Sequence, residues 1–202
     1  AASDVYKRQR RYYVDDDTAR EIEKVVREVD EKLRKERKGD IYPSQSATVI
    51  TGRKPHLFAE EMSWGFPQYQ KKGLLINARA ETALERKSFR DSVMHRRCII
   101  PAKQFYEWDP DKNKVTFLRK NQPVLFMAGF YNRFQDEDHF IILTTQANES
   151  VSPVHHRMPL ILERSELEDW VYEDTFLEFA LHKKPPQLVR RQDYEQQSLF
   201  LT

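Results

Sequence analysis

Arg97–Trp108 reads RCIIPAKQFYEW. An apolar run, Arg97-Cys98-Ile99-Ile100, leads into Phe105, Tyr106 and Trp108, and one carboxylate, Glu107, sits between the last two aromatics. Branched and aromatic residues at this density predict β-strand. Similar short runs lie on both sides: 47–51, 57–64 and 74–78 before it, then 115–119, 124–131, 139–145 and 158–162 after it. Gly52, Gly73, Pro110 and Pro123 punctuate them. Before this strand-rich body comes one helical pattern. Thr18 and Glu21 have the spacing of a capping box, Ile22, Val25, Val26, Val29 and Leu33 follow at helical intervals, and Gly39 stops the pattern. The expected helix covers 18–37. Shorter helices are expected over 88–94 and from Ser165, where Glu168 completes a second box, with 174–181 extending or following it.

A helix followed by many short strands, without β-α-β alternation, predicts an α+β fold. The expected architecture is a single domain, mainly antiparallel β with a curved or barrel-like sheet, a long N-terminal helix and short peripheral helices. Residues 1–10 carry no hydrophobic period and read as a disordered or non-native leader. The domain proper is expected over 11–182, with 183–202 as a polar C-terminal tail.

Composition narrows the class of function. The chain has 202 residues, with 34 Lys plus Arg against 32 Asp plus Glu, a formal charge of +2. That balance argues against a general nucleic-acid coat and leaves room for a local basic groove. No run approaches the roughly 18 apolar residues that span a bilayer, and no secretory signal pattern is visible. The expected setting is the cytoplasm, with no membrane partner. The single cysteine, Cys98, excludes an internal disulfide and a cysteine-based zinc site. It sits in an apolar strand pattern and reads as a small core residue rather than a nucleophile.

Four stretches carry candidate chemistry. In INARAET, residues 76–82, a strand would place Asn77, Arg79 and Glu81 on one side, either as an exposed sheet edge or as a polar face with Arg79 reaching an anion. In the stretch ending QFYEW, Glu107 is either an ordinary outward carboxylate or an acid whose pKa its aromatic neighbours raise toward neutrality. In VHHRMP, residues 154–159, His155 and His156 would diverge on an extended chain. That makes joint metal ligation awkward and leaves one as an acid or base. In MSWGFP, residues 62–67, Trp64 before Gly65 suggests a turn exposing an indole that could stack on a base, or a half-buried core residue.

In order along the chain, RYYV from Arg11, PSQ from Pro43, WGFP from Trp64, INARAET from Ile76, RRCIIPAKQFYEW ending at Trp108 and HHRMP from His155 resemble the SOS-response-associated peptidase, or abasic site processing, family. The likeness covers about 11–171. It implies single-stranded DNA binding and a covalent crosslink to abasic sites in the DNA damage response. The crosslink uses an N-terminal cysteine, exposed by self-processing, whose amine and thiol close a thiazolidine on the sugar aldehyde. An α-amine with a pKa of about 7.7–8.0 is partly neutral, hence nucleophilic, at pH 7.

By the resemblance, Asn77 would hold the nucleophile and sugar, Glu107 would move protons during ring opening, and His155 would act as acid or base on the sugar hydroxyl. Arg11, Arg79 and Arg157 would contact phosphates, and Trp64 would stack on or wedge beside a base. No metal or organic cofactor is implied, and a monomer is expected. One position departs from the family pattern: Gln9 stands where the cysteine is expected. A carboxamide cannot close a thiazolidine, so the chain as written is expected to lack the covalent step. This keeps open a non-catalytic single-stranded DNA-binding module. A cysteine peptidase using Cys98 and a histidine is the remaining alternative.

Overall fold

The computed structural model describes residues 11–26, 38–69 and 72–192. In chain order the elements are β1 (Arg11–Val14), α1 (Asp16–Val25), β2 (Gly39–Ile41), β3 (Ser46–Arg53), β4 (His56–Trp64), β5 (Phe66–Pro67), β6 (Leu74–Leu75) and β7 (Asn77–Arg79). Then come a 3-10 turn (Ala80–Thr82), α2 (Lys87–His95), β8 (Arg97–Ala102), β9 (Gln104–Trp108), β10 (Lys114–Leu118), β11 (Leu125–Phe134) and β12 (Glu137–Gln146). The last are β13 (Arg157–Pro159), β14 (Ile161–Leu162), α3 (Leu167–Tyr172), α4 (Asp174–His182) and β15 (Val189–Gln192).

The run 97–108 is two strands rather than one. It breaks at Lys103, whose N–H donates to the Tyr13 carbonyl at 2.7 Å. Before the break, β8 pairs with β11 and touches β3; after it, β9 pairs with β1 and β10. The stretch therefore hands the chain from one sheet to another. Strands β3, β4, β12, β11 and β8 pair in a closed circuit, a five-stranded barrel. A second sheet runs β15-β10-β9-β1-β2. The pairings are antiparallel except where β4 and β7 run parallel to β12.

Two cores follow from strand alternation. Cys98, Ile100, Met127, Phe140 and Ile142 pack with Tyr12, Phe105 and Phe117 of the second sheet. Their neighbours Ile99, Ala128, Phe130, Ile141 and Leu143 pack with helix residues Phe89, Val93, Trp170 and Leu177. Gly129 keeps the barrel tight: a Cβ there would lie 2.5 Å from the Ile141 carbonyl oxygen. Arg97, its side chain 2% exposed, donates to the Val93 and Met94 carbonyls at the end of α2 and to the Trp170 carbonyl of α3. It also pairs with Asp174 at the start of α4, at 2.9 Å. One guanidinium thus satisfies carbonyls that two helix ends leave open.

Several expectations are corrected. Helix α1 is capped by Asp15, with Thr18 as the reciprocal partner three residues in, so the box lies one turn earlier than Thr18–Glu21. The helix ends at Val25, where Val26 is already extended; the expected continuation over 27–37 lies outside the described residues, as do the expected leader 1–10 and residues 193–202. The second box joins Glu163 and Glu166 instead of Ser165 and Glu168, opening a 3-10 turn ahead of α3. The stretch after Lys183 contains β15, which pairs with β10 along Val115–Leu118. No described helix is long and apolar enough to cross a membrane.

Candidate functional site

Strand β12 organises the site. Along one edge it pairs first with Trp64 of β4 and then with β7, in the register Ile142–Asn77 and Thr144–Arg79. Along the other it pairs with β13, Gln146 facing Arg157. Where this edge meets β1 and β9 of the second sheet, a cleft of about 270 Å³ opens. The seven residues to which the resemblance gives roles all line it: Arg11, Trp64, Asn77, Arg79, Glu107, His155 and Arg157.

Asn77 and Arg79 project together because strand side chains alternate, while Ala78 and Ala80 are buried behind them. The chain then turns into the 3-10 segment, so Glu81 is off the strand that INARAET suggested. It nonetheless meets Arg157 in a two-pronged pair, Nη1 to Oε1 and Nη2 to Oε2, each 2.8 Å. That guanidinium holds the Glu81 carboxyl below its usual range, against an opposing contribution from burial. Arg79 is exposed, and among the described residues no carboxylate pairs with it.

Arg11 is held differently. It donates to the Tyr42 hydroxyl at 2.6 Å, pairs with Asp40 at 3.1 Å, and lies over the rings of Tyr42, Tyr106 and Trp108 at 5.0–5.5 Å. Of the three arginines expected to contact phosphates, two are thus ion-paired within the protein. Burial pushes the Tyr106 phenol up to about 12, so it is neutral at physiological pH; its oxygen accepts from Gln104 at 2.9 Å.

The indole of Trp64 is not exposed, contrary to the reading of WGFP as a turn that displays it. It is 2% exposed, stacks on Phe140 at 6.3 Å, and donates its N–H to the Ile76 carbonyl at 3.0 Å. Gly65 makes the following bend with φ +113, and its N–H donates to the Phe140 carbonyl at 2.8 Å. Trp64 is therefore part of the cleft floor.

The histidines depart from the extended-chain picture too. The chain from Asn148 to His155 is a series of turns, with bonds such as His155 N–H to the Val151 carbonyl at 3.0 Å. This brings the two imidazoles face to face, 4.6 Å apart and 30° from parallel, both lining the cleft. His155 Nδ1 lies 3.1 Å from the Arg157 N–H and 3.0 Å from the Arg157 carbonyl. Accepting from one or donating to the other fixes the ring either way. The preceding turn is anchored by Asn148, which donates to the Pro185 and Pro186 carbonyls.

Cys98 lies in the core, fully buried, and its thiol is pushed far up by burial. It does not line the cleft, so the cysteine-peptidase alternative has no nucleophile there. Among the described residues no three His, Cys, Asp or Glu side chains group as a metal site. Sequence reasoning missed Tyr12, Tyr106 and Thr144 as cleft residues, while His156, weighed there beside His155, lines the cleft with it. The doubled aromatics of RYYV and QFYEW were the available signal for the two tyrosines.

Comparison with known proteins bears on this geometry. The family model described as SOS response associated peptidase matches residues 9–195. The chain is similar to the abasic site processing protein YoaM of Bacillus subtilis, 32% identical over 146 residues, covering 65% of this chain and 64% of the relative. It is likewise similar to YoqW of the same organism, 33% identical over 146 residues, 65% of each. The chain thus spans just under two thirds of the length of these relatives. A crystal structure of a Bacteroides thetaiotaomicron protein superimposes with a TM-score of 0.76 at 21% identity, covering 90% of both chains, a likeness of fold alone.

Proposed function

The chain belongs to the SOS response associated peptidase family, and on that premise we propose that its cleft binds single-stranded DNA and processes abasic sites. The observation that carries this reading is the meeting, in one cleft, of an amide, a carboxylate and an imidazole from β7, β9 and the turn before β13, with three arginines around them. A lesion lacking its base presents a sugar with hydroxyls and a latent aldehyde. Donors, acceptors and proton carriers at fixed positions suit that sugar better than an intact nucleotide.

In this reading Asn77 hydrogen-bonds the opened sugar, Glu107 moves a proton as the ring opens, and His155 serves the sugar hydroxyl as acid or base. Arg79 contacts a phosphate directly, while Arg11 and Arg157, paired with Asp40 and Glu81, shape the walls and offer N–H donors. Trp64 supports the floor under the sugar rather than stacking on a base. The covalent step needs a terminal amine with an adjacent thiol, and Gln9 offers neither.

A second reading, a binding module without catalysis, is favoured for the chain as given by that one residue. A denaturing gel with abasic single-stranded DNA separates the two. The chain as given is expected to bind reversibly and leave no covalent band, whereas a version whose mature terminus is cysteine at position 9 is expected to leave one. Absence of both binding preference and crosslink in the cysteine version overturns the proposal.

A further inference from the structure

Glu81 lies outside the set of residues expected to handle DNA, yet it connects two of them. It lies four positions after Asn77, past the end of β7 and one step into the 3-10 turn. Its carboxylate grips the Arg157 guanidinium with both oxygens, 2.8 Å each, and accepts from the Thr145 hydroxyl at 3.4 Å. The same guanidinium donates to the Thr144 carbonyl at 2.6 Å, and Thr144 is the register partner of Arg79. On the other side, the backbone of Arg157 holds His155 Nδ1. One chain of contacts thus runs from the strand bearing Asn77, through Glu81 and Arg157, to the imidazole.

Geometry of this kind restricts motion in a way a single contact does not. A two-pronged guanidinium–carboxylate pair fixes both distance and plane. The pair is partly shielded, with the arginine side chain 18% exposed and the glutamate 38%. The β12–β13 ladder is only three residues long at this point. Besides the pair, β13 is held by its short ladder, by the Arg157 bond to the Thr144 carbonyl and by the buried Met158, none of which reaches β7 directly.

We propose that Glu81 is a positioning residue. Through Arg157 it sets the orientation of His155 relative to Asn77, and so the fit of the cleft to the sugar of an abasic site. This rests on the functional reading above. His156, at 4.6 Å, and the Arg157 backbone face His155, and Glu107 and Arg79 line the same cleft.

The test compares the full chain with Glu81→Gln, which removes charge and keeps shape, with Glu81→Asp, and with Arg157→Lys, which keeps charge but loses the fork. Two readouts are taken on folded protein. One is the nitrogen-15 chemical shifts of His155 through a pH titration, which report its tautomer and titration midpoint. The other is the affinity ratio between abasic and undamaged single-stranded oligonucleotides of the same length. In Glu81→Gln the His155 shifts are expected to move toward a mixed tautomer. The affinity ratio should fall about tenfold, in line with the cost of modest misplacement, while undamaged DNA binds within about twofold of wild type because phosphate contacts dominate there. Arg157→Lys should move the His155 shifts in the same direction, and Glu81→Asp should recover part of both effects. Wild-type His155 shifts in a folded Glu81→Gln protein overturn the proposal. If wild type itself shows no abasic preference, the functional reading fails, and the histidine shifts alone then decide whether the link from Glu81 exists.

Discussion

The indole N–H of Trp64 donates to the carbonyl oxygen of Ile76 at 3.0 Å, and that oxygen also accepts from the Ile142 N–H at 3.2 Å. Ile76 is the residue immediately before Asn77. The bond thus ties the end of β4 to the start of β7 and sets the height of the Asn77 amide over the cleft floor. Trp64→Phe keeps most of the ring packing against Tyr12 and Phe140 and removes the donor. Because Ile142 still satisfies the carbonyl, the expected loss in a urea unfolding curve is about 1–2 kcal/mol. Abasic DNA binding should weaken more than undamaged DNA binding.

Arg97→Met tests whether one buried cation closes the helical layer. The change replaces a guanidinium that reaches four backbone carbonyls and Asp174. It leaves the helix-end carbonyls buried without donors, so the expected destabilisation is about 3–5 kcal/mol by thermal or urea unfolding. A loss under about 1 kcal/mol would mean water replaces the arginine at no great cost.

Acid sensitivity follows from Glu81 and Glu21, whose carboxyls are held below their ordinary values chiefly by Arg157 and by Lys24, respectively. A carboxylate depressed by folding contributes stability above its unfolded pKa of about 4.3 and loses it as pH falls through the lower folded value. Stability should therefore be flat near neutrality and decline below about pH 4.5. Glu81→Gln should be somewhat less stable at pH 7 and show a shallower acid decline. A parallel decline in variant and wild type would mean the pair contributes nothing in solution.

Arg79 is the cleft arginine with no carboxylate partner among the described residues, and it should make the direct phosphate contact. Arg79→Ala should weaken abasic and undamaged single strands alike. It should also reduce the slope of log affinity against log salt by about 0.7, the value for one phosphate on a single strand. An unchanged slope would place the contact elsewhere.

Much of this architecture could be read from the chain because short apolar runs with Gly and Pro between them have few other ways to fold. INARAET, QFYEW and HHRMP kept their identity because each has polar groups on an apolar scaffold, and the structure gathers all of them. Other features depend on distant partners. Nothing local says that β12 takes β11 on one edge and β4, then β7, on the other, which is what closes the barrel. Three aspartates before Thr18 offer several caps, and the chain uses Asp15. The burial of Trp64 is decided by Phe140, and the engagement of Arg157 by Glu81, 76 residues away. His155 and His156 stack because turns anchored by Asn148 replace the extended chain.

The most direct test of the account is the ratio of affinities, at one fixed salt concentration, for two single-stranded oligonucleotides that differ only by one abasic site. Tighter binding of the abasic strand is the predicted result, lost in Asn77→Ala and in His155→Ala while undamaged binding persists. Equal affinity of wild type for the two strands would mean the cleft reads phosphates only, and would contradict the central claim.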